Sequence, residues 1–279
     1  MISVILVQHN RGDLTCACID SLLRFRPTGY EIIVIDNAST DGSGEMVRRR
    51  FESVQCIQQA NNIGFGAANN AGARAAGGDL LFFLNNDTFA LSDPLTPLGE
   101  YMQAHPGCGA AGIALRNPDG SPQSSLGRWP LIRTEWLMKR GRGLYDPAEY
   151  ASVDWLTGAA LCVRREVFES VGGFDEGFFM YFEDVDLCRR IADAGSARHF
   201  IPSIEMVHVG GASQSAGLRP AMQLAYRRAQ RRYYAQHASP LQQQLLRLYL
   251  GLKAAGGIVF GSCERRSTAL GILRLLKEK

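Results

Sequence analysis

Leu80-Leu81-Phe82-Phe83-Leu84-Asn85-Asn86-Asp87-Thr88 is an apolar run that stops at two amides and a carboxylate. Entered from Gly77-Gly78-Asp79, it reads as a strand buried on both faces. Polar side chains at the C-terminal end of a central parallel strand stand where open α/β sheets bind their ligands. Asp87 offers an oxygen there that can hold a divalent cation against a phosphate. The competing reading is a plain turn, for which Asn and Asp are equally suited. The neighbouring stretches decide between the two.

Upstream, apolar runs at residues 2–7, 30–35 and 54–57 alternate with segments of helical spacing. The first run ends in Gln8-His9-Asn10, and Asp13 can cap the helix that follows. The second ends in Asp36-Asn37-Ala38-Ser39-Thr40-Asp41-Gly42-Ser43, and Asn61-Asn62-Ile63-Gly64-Phe65-Gly66 leads into an Ala-rich helix over 67–76. The order strand, helix, strand, helix, strand, helix, strand predicts an α/β fold built on a mostly parallel nucleotide-binding sheet. Two of its strands end in an acid, Asp36 and Asp87. These loops contain neither G-x-G-x-x-G nor G-x-x-x-x-G-K-[ST], which disfavours hydride transfer and P-loop chemistry.

Downstream, a helix is expected over 93–104, a strand over 109–115, and a Gly/Pro-rich flap over the site across 116–150. Residues 154–163 return to a buried strand. Phe174-Asp175-Glu176-Gly177-Phe178-Phe179-Met180-Tyr181-Phe182-Glu183-Asp184-Val185-Asp186-Leu187 then sets five carboxylates among aromatic residues. A helix over 184–194 places Glu183 and Asp184 at its N-terminus, where the macrodipole favours charged carboxylates. One acid suffices for a cap, so five argue for more than capping. After a strand at 197–201 comes His208, a packed core residue or a ligand. Helices are expected over 221–238, 241–255 and 270–276.

The net charge of +3 conceals an asymmetry. From Arg219 onward lie 12 of the 30 basic but only 2 of the 27 acidic residues, a local charge of +10 against −7 for the rest. This divides the chain into a body, 1–218, and a basic helical C-terminal extension, 219–279. The cluster Arg227, Arg228, Arg231 and Arg232 suggests contact with the inner face of a membrane, with a homodimer as the alternative. No nucleic-acid partner is indicated. Seven scattered cysteines contain no C-x-x-C pair, so neither a zinc site nor a disulfide framework is expected. The N-terminus enters a strand directly and no apolar stretch reaches membrane-span length, which suggests a cytoplasmic protein.

If the substrate is a nucleotide-activated sugar, the chemistry distributes itself over these residues. Asp36 suits the base or ribose. Asp87 with a metal stabilises charge developing on the diphosphate. Asp184 is the candidate general base, and His208 can complete the metal shell. No nucleophile with an adjacent base is evident, which favours direct inverting displacement.

The ordered set Asn10, 36–43, 62–70, 84–88, 172–176, 181–187 and His208 resembles inverting family-2 glycosyltransferases of GT-A fold, in the rhamnosyltransferase-like branch. The resemblance covers residues 3 to about 213. It implies a nucleoside-diphosphate sugar donor, dTDP-rhamnose foremost, with Mg²⁺ or Mn²⁺. It implies donor contacts at Gln8, Asn10, Asp36, Asn62, Gly64, Asn69, Asn86 and Asp87, metal ligation by Asp87 and His208, and Asp184 as the catalytic base. Trp155, Gly158, Asp175 and Glu183 are the acceptor-side candidates, and the implied acceptor is a lipid-linked or growing bacterial surface glycan. Two positions depart from the family pattern: Asn85 stands where an Asp often opens the metal motif, and Gln8-His9 replaces a Thr-Tyr type of pair. A UDP- or GDP-sugar donor and a catalytically silent binding subunit are the alternatives.

Overall fold

The computed structural model describes residues 1–25, 27–132, 134, 152–210 and 220–277. Its first half alternates as the sequence predicts: β1 (Ile2–Gln8), α1 (Gly12–Leu23), β2 (Tyr30–Asp36), α2 (Ser43–Arg50), β3 (Gln55–Gln58), α3 (Phe65–Ala75) and β4 (Leu80–Asn85). These four strands pair in parallel in the order β3-β2-β1-β4. Strand β1 shows why the runs are unbroken apolar. Val4 and Leu6 pack with Ile19 and Leu22 of α1, while Ile5 enters a second core with Phe83, Phe168 and Phe174 on the other face. The register sets Gln8 level with Asp36 and Val7 level with Asn85, so the polar ends of three strands share one edge.

Beyond β4 the sheet is mixed. It continues through β5 (Thr88–Ala90), α4 (Leu95–Ala104), β6 (Cys108–Arg116), β7 (Pro122–Gln123), β8 (Leu126–Gly127), β9 (Trp155–Leu156) and β10 (Ala160–Arg164). Then follow α5 (Arg165–Ser170), α6 (Glu183–Asp193) and β11 (Ala197–His208). Strand β10 inserts antiparallel between β4 and β6, and β11 runs parallel to β6 while its end pairs antiparallel with β5. The strand expected over 154–163 is two strands, because the chain turns at Thr157-Gly158, where the Ala160 N–H donates to the Thr157 carbonyl. The strand expected to stop at Ile201 runs on through an irregularity before Glu205 and carries His208 to the edge beside Thr88. Within the expected flap, Pro122–Gln123 and Leu126–Gly127 form the short strands β7 and β8, and 133 and 135–150 lie outside the described residues.

Of the C-terminal helices, α7 (Pro220–His237) matches the expected segment to within a residue, while α8 (Pro240–Phe260) and α9 (Cys263–Lys277) run beyond theirs. Ser239 caps α8, its hydroxyl accepting from the Gln242 N–H, and Pro240 opens the helix. These helices share a core with the body: Tyr233, Tyr234, Leu246, Leu250 and Ile272 pack with Phe178, Phe182 and Val185. The boundary expected at 218/219 falls outside the described residues.

Candidate active site

The two asparagines and Asp87 after β4 are not equivalent. The Asn86 amide donates to the Thr15 hydroxyl of α1 (2.9 Å), which fixes the turn. Asn85 and Asp87 both face His208: the Asn85 amide nitrogen is 3.1 Å and Asp87 Oδ1 is 3.1 Å from its Nε2. On the ring's other side Nδ1 meets Gln123 Oε1 at 2.5 Å. Gln123 is itself oriented, because its amide nitrogen donates to Asn117 Oδ1 and to the His208 carbonyl. Its oxygen can only accept, so Nδ1 carries a proton, and in the neutral imidazole Nε2 is the nitrogen that presents a lone pair toward Asp87.

This corner fits a divalent cation. In that tautomer Nε2 and the Asp87 carboxylate confront each other as two acceptors, a repulsion that a shared cation would relieve. Their 3.1 Å separation matches two adjacent ligands held at about 2.1 Å, roughly 3.0 Å apart on an octahedral ion. A Cβ on Gly210 would stand 1.9 Å from Asp87 Oδ2, so only glycine leaves the carboxylate its place. Among the described residues no three His, Cys, Asp or Glu converge, so the protein offers one carboxylate and one imidazole here.

Asp36 is buried at the end of β2, its Oδ1 accepting the Ser39 N–H (3.0 Å) while Oδ2 abuts Gly44 of α2. The Asn10 backbone is left-handed (φ 55°), and its side-chain oxygen accepts the Thr40 N–H, which clasps the first loop to the second. Asn62 braces a third loop. Its oxygen accepts from the Asn37 amide and the Gly64 N–H, while Asn37 Oδ1 accepts the Ile63 N–H. Gly64 has φ 87°, and a Cβ there would lie 2.5 Å from the Phe179 carbonyl, which accepts the Phe65 N–H. Asn69 is buried and donates to the Phe65 carbonyl, leaving Oδ1 without a partner. Gln8 is 1% exposed, and neither atom of its amide is paired. The structure therefore joins Asn10, Asp36, Asn62 and Gly64 through one network of loops, with Asn37 at its hub.

The five carboxylates between Phe174 and Leu187 divide among separate tasks. Asp175 is taken by Arg232 (2.9 Å) and Gln236 (2.8 Å) of α7, so it anchors the C-terminal helices. Glu176 accepts from Asn70, whose amide also clasps both sides of Phe174. Asp186 is buried between Arg190 (2.6 Å) and His237 (2.7 Å). That leaves Glu183 and Asp184 at the start of α6.

Asp184 is held by two backbone donors, Gly158 N–H to Oδ2 and Val185 N–H to Oδ1, each at 2.8 Å. Burial raises its pKa while those donors pull it down, and burial prevails. A raised carboxylate is suited to take a proton near neutral pH. Asp184 is linked to the metal corner by two consecutive residues: Gly158 donates to it, and the next carbonyl, Ala159, accepts the Asn85 N–H (3.0 Å). Three and two residues before Asp184, Tyr181 and Phe182 both hold positive φ, 71° and 67°. Such strain persists where packing enforces it, and here Phe182 is wedged between Tyr226 and Tyr233 of α7. The C-terminal helices thereby fix the position of Asp184.

Glu183 is buried, its Oε2 has no partner, and desolvation with the adjacent Asp184 pushes its pKa up to about 8. The folded chain thus keeps a proton that the unfolded chain releases near 4.5. Stability should fall as pH rises from about 4.5 to about 8 and level off above. Glu183→Gln, uncharged throughout, is expected to remove that slope. Its melting temperature relative to the parent should climb across this window in calorimetry; a constant difference would show that Glu183 is ionised when folded.

Trp155 donates from its indole to the Arg128 carbonyl. A Cβ on Gly158 would press on Phe65 at 3.2 Å and on Asp184 at 3.4 Å. Burial pushes the thiols of Cys18 and Cys188 up to about 12, which leaves them without nucleophilic character.

A sheet that is parallel in its first half and mixed beyond, flanked by helices, has the GT-A fold, which the solved structures similar to it share. The chain belongs to glycosyl transferase family 2, whose model matches residues 3–172; the model of glycosyl transferase family group 2 matches 134–272. It is 32% identical over 230 residues, 74% of this chain and 73% of the other, to the N-acetylglucosaminyl-diphospho-decaprenol L-rhamnosyltransferase of Mycobacterium tuberculosis H37Rv. It is 28% identical to rhamnosyltransferase WbbL of Escherichia coli K12, over 75% of this chain and 83% of the other. The fold superposes with a TM-score of 0.62 on the mannosyltransferase PcManGT of Pyrobaculum calidifontis, solved with GDP-Man and Mn²⁺. The identity there is 18%, covering 99% of this chain and 84% of the other.

Proposed function

We propose that the chain transfers L-rhamnose from dTDP-rhamnose to a hydroxyl of a lipid-linked or bacterial surface glycan, with inversion and with Mg²⁺ or Mn²⁺. The observation that carries this reading is the connection of Asp184, through Gly158 and Ala159, to the corner of Asn85, Asp87 and His208. The rhamnosyl and lipid-linked terms rest on the relatives' names.

The loops at Asp36–Ser43 and Asn62–Gly64 receive the nucleoside, and Asp87 with His208 would hold the cation. When bound, the ion neutralises charge on the departing diphosphate. Asp184 accepts the proton of the acceptor hydroxyl as that oxygen bonds to the anomeric carbon. The bond from that carbon to the phosphate oxygen breaks, and the nucleoside diphosphate leaves with its electron pair. Tyr181 and Phe182 hold the base rigidly against recoil.

The test is a donor panel of dTDP-rhamnose, UDP-glucose, UDP-galactofuranose and GDP-mannose, with Mn²⁺ and an N-acetylglucosaminyl-diphospho-polyprenol acceptor, read by mass spectrometry. Transfer from dTDP-rhamnose is expected. Transfer from a UDP- or GDP-sugar alone would replace the donor assignment, and nucleotide binding without transfer or hydrolysis of any donor would show a silent subunit.

A further inference from the structure

Helix α8 carries two apolar faces. Leu246, Leu250 and Ala254 are buried against the body and α9. On the opposite face Leu241 (64% exposed), Leu245, Leu248 (61%), Leu252 (66%) and Val259 (61%) recur at helical spacing, with Phe260 exposed at the end. At 100° per residue these five positions fall within about 60° of one another. The stripe spans most of a 21-residue helix, about 30 Å long. A contiguous apolar strip of this kind marks a surface that something covers.

We propose that this stripe lies on an anionic lipid surface, with the leucines in the headgroup boundary and the helix parallel to the membrane. Charge decides between lipid and a second copy of the chain. Residues 240–260 contain Arg247 and Lys253 and no carboxylate, and α9 adds exposed Arg265, Arg266, Arg274 and Lys277 against one exposed acid, Glu264. A symmetric pairing through α8 would bring two surfaces of like charge together, whereas an anionic bilayer receives both the leucines and the cations. No described helix is long and apolar enough to cross a membrane, which fits a helix lying along the surface. Arg232, counted from sequence among the lipid-facing cations, is paired with Asp175, so that guanidinium is already engaged by the body.

The binding requires no sugar nucleotide, so its outcome is separable from the donor and acceptor assignments above. The full chain is floated with vesicles of phosphatidylcholine alone and of phosphatidylcholine mixed with phosphatidylglycerol. Co-flotation with the mixed vesicles only, weakened by added salt, is expected. The exposed double variant Leu248→Glu/Leu252→Glu should lower the partition roughly tenfold or more with an unchanged melting temperature. Absence of the parent chain from anionic vesicles, or equal partition of the variant, would overturn the proposal. So would a dimer in light scattering that the same two substitutions dissociate, which would make the stripe a self-association surface.

Discussion

Asp184→Asn is expected to lower kcat by roughly 10²–10⁴ while leaving nucleotide affinity in place. The substitution keeps the shape of the side chain and removes its capacity to take a proton. Its oxygen can still accept one of the two N–H groups, Gly158 or Val185, that now hold the carboxylate. The other is left facing an NH₂ group, a cost of about 1 kcal/mol, so a small drop in melting temperature should accompany the kinetic loss. The parent enzyme should also show an acid limb in its kcat profile above the ordinary aspartate range, because burial raises the Asp184 pKa. Below that limb the base is protonated and turnover falls. A variant retaining the parent's kcat, measured by nucleotide release at saturating donor, would remove Asp184 from the chemistry.

The second large effect is expected at the metal corner. Asp87→Asn replaces with an amide the one carboxylate that the described residues bring to this corner, leaving the His208 imidazole to hold a cation without an anionic co-ligand. The loss in kcat/KM should reach roughly 10²–10³, the scale of removing one electrostatic stabiliser of a developing oxyanion. Mn²⁺ binding supplies an independent readout. With two protein donors, the chain alone should bind Mn²⁺ weakly and a nucleoside diphosphate should tighten it, and by linkage Mn²⁺ should tighten the nucleotide equally. In Asp87→Asn that mutual enhancement is expected to vanish in calorimetric titrations. Its survival at full size would place the cation elsewhere.

The parallel half of the fold was legible because strands buried on both faces leave unbroken apolar runs, and their polar ends mark the binding edge. The direction of β10 was not legible, since an apolar run reads alike whether its neighbours run with it or against it. His208 could be flagged but not placed. Its partner Asn85 lies 123 residues away, and the irregularity before Glu205 that carries it to the sheet edge leaves no periodic trace. Gln123 was invisible altogether: it sits in a two-residue strand within a stretch rich in Gly, Pro and Ser, 85 residues from the ring it orients. The only available signal was an isolated amide amid that stretch, too slight to single out. The five acids around Glu183 were recognisable as a concentration of chemistry. Their division depended on contacts that only the tertiary fold creates, above all Arg232 on Asp175 and His237 on Asp186. Asn37 appeared within a quoted motif, yet its place at the hub of the nucleoside loops followed from its three bonds across to the Asn62–Gly64 segment.

The most direct test joins both halves of the site in one reaction. The parent chain is incubated with dTDP-rhamnose, the lipid-linked acceptor and Mn²⁺, and the product is examined by mass spectrometry and by NMR of its anomeric configuration. The expected result is a single added rhamnose with configuration opposite to the donor's, lost on chelation and restored by Mn²⁺. Retention of configuration, a glycosylated enzyme trapped on the way, or full transfer in the presence of chelator would contradict a metal-assisted displacement with Asp184 as its base.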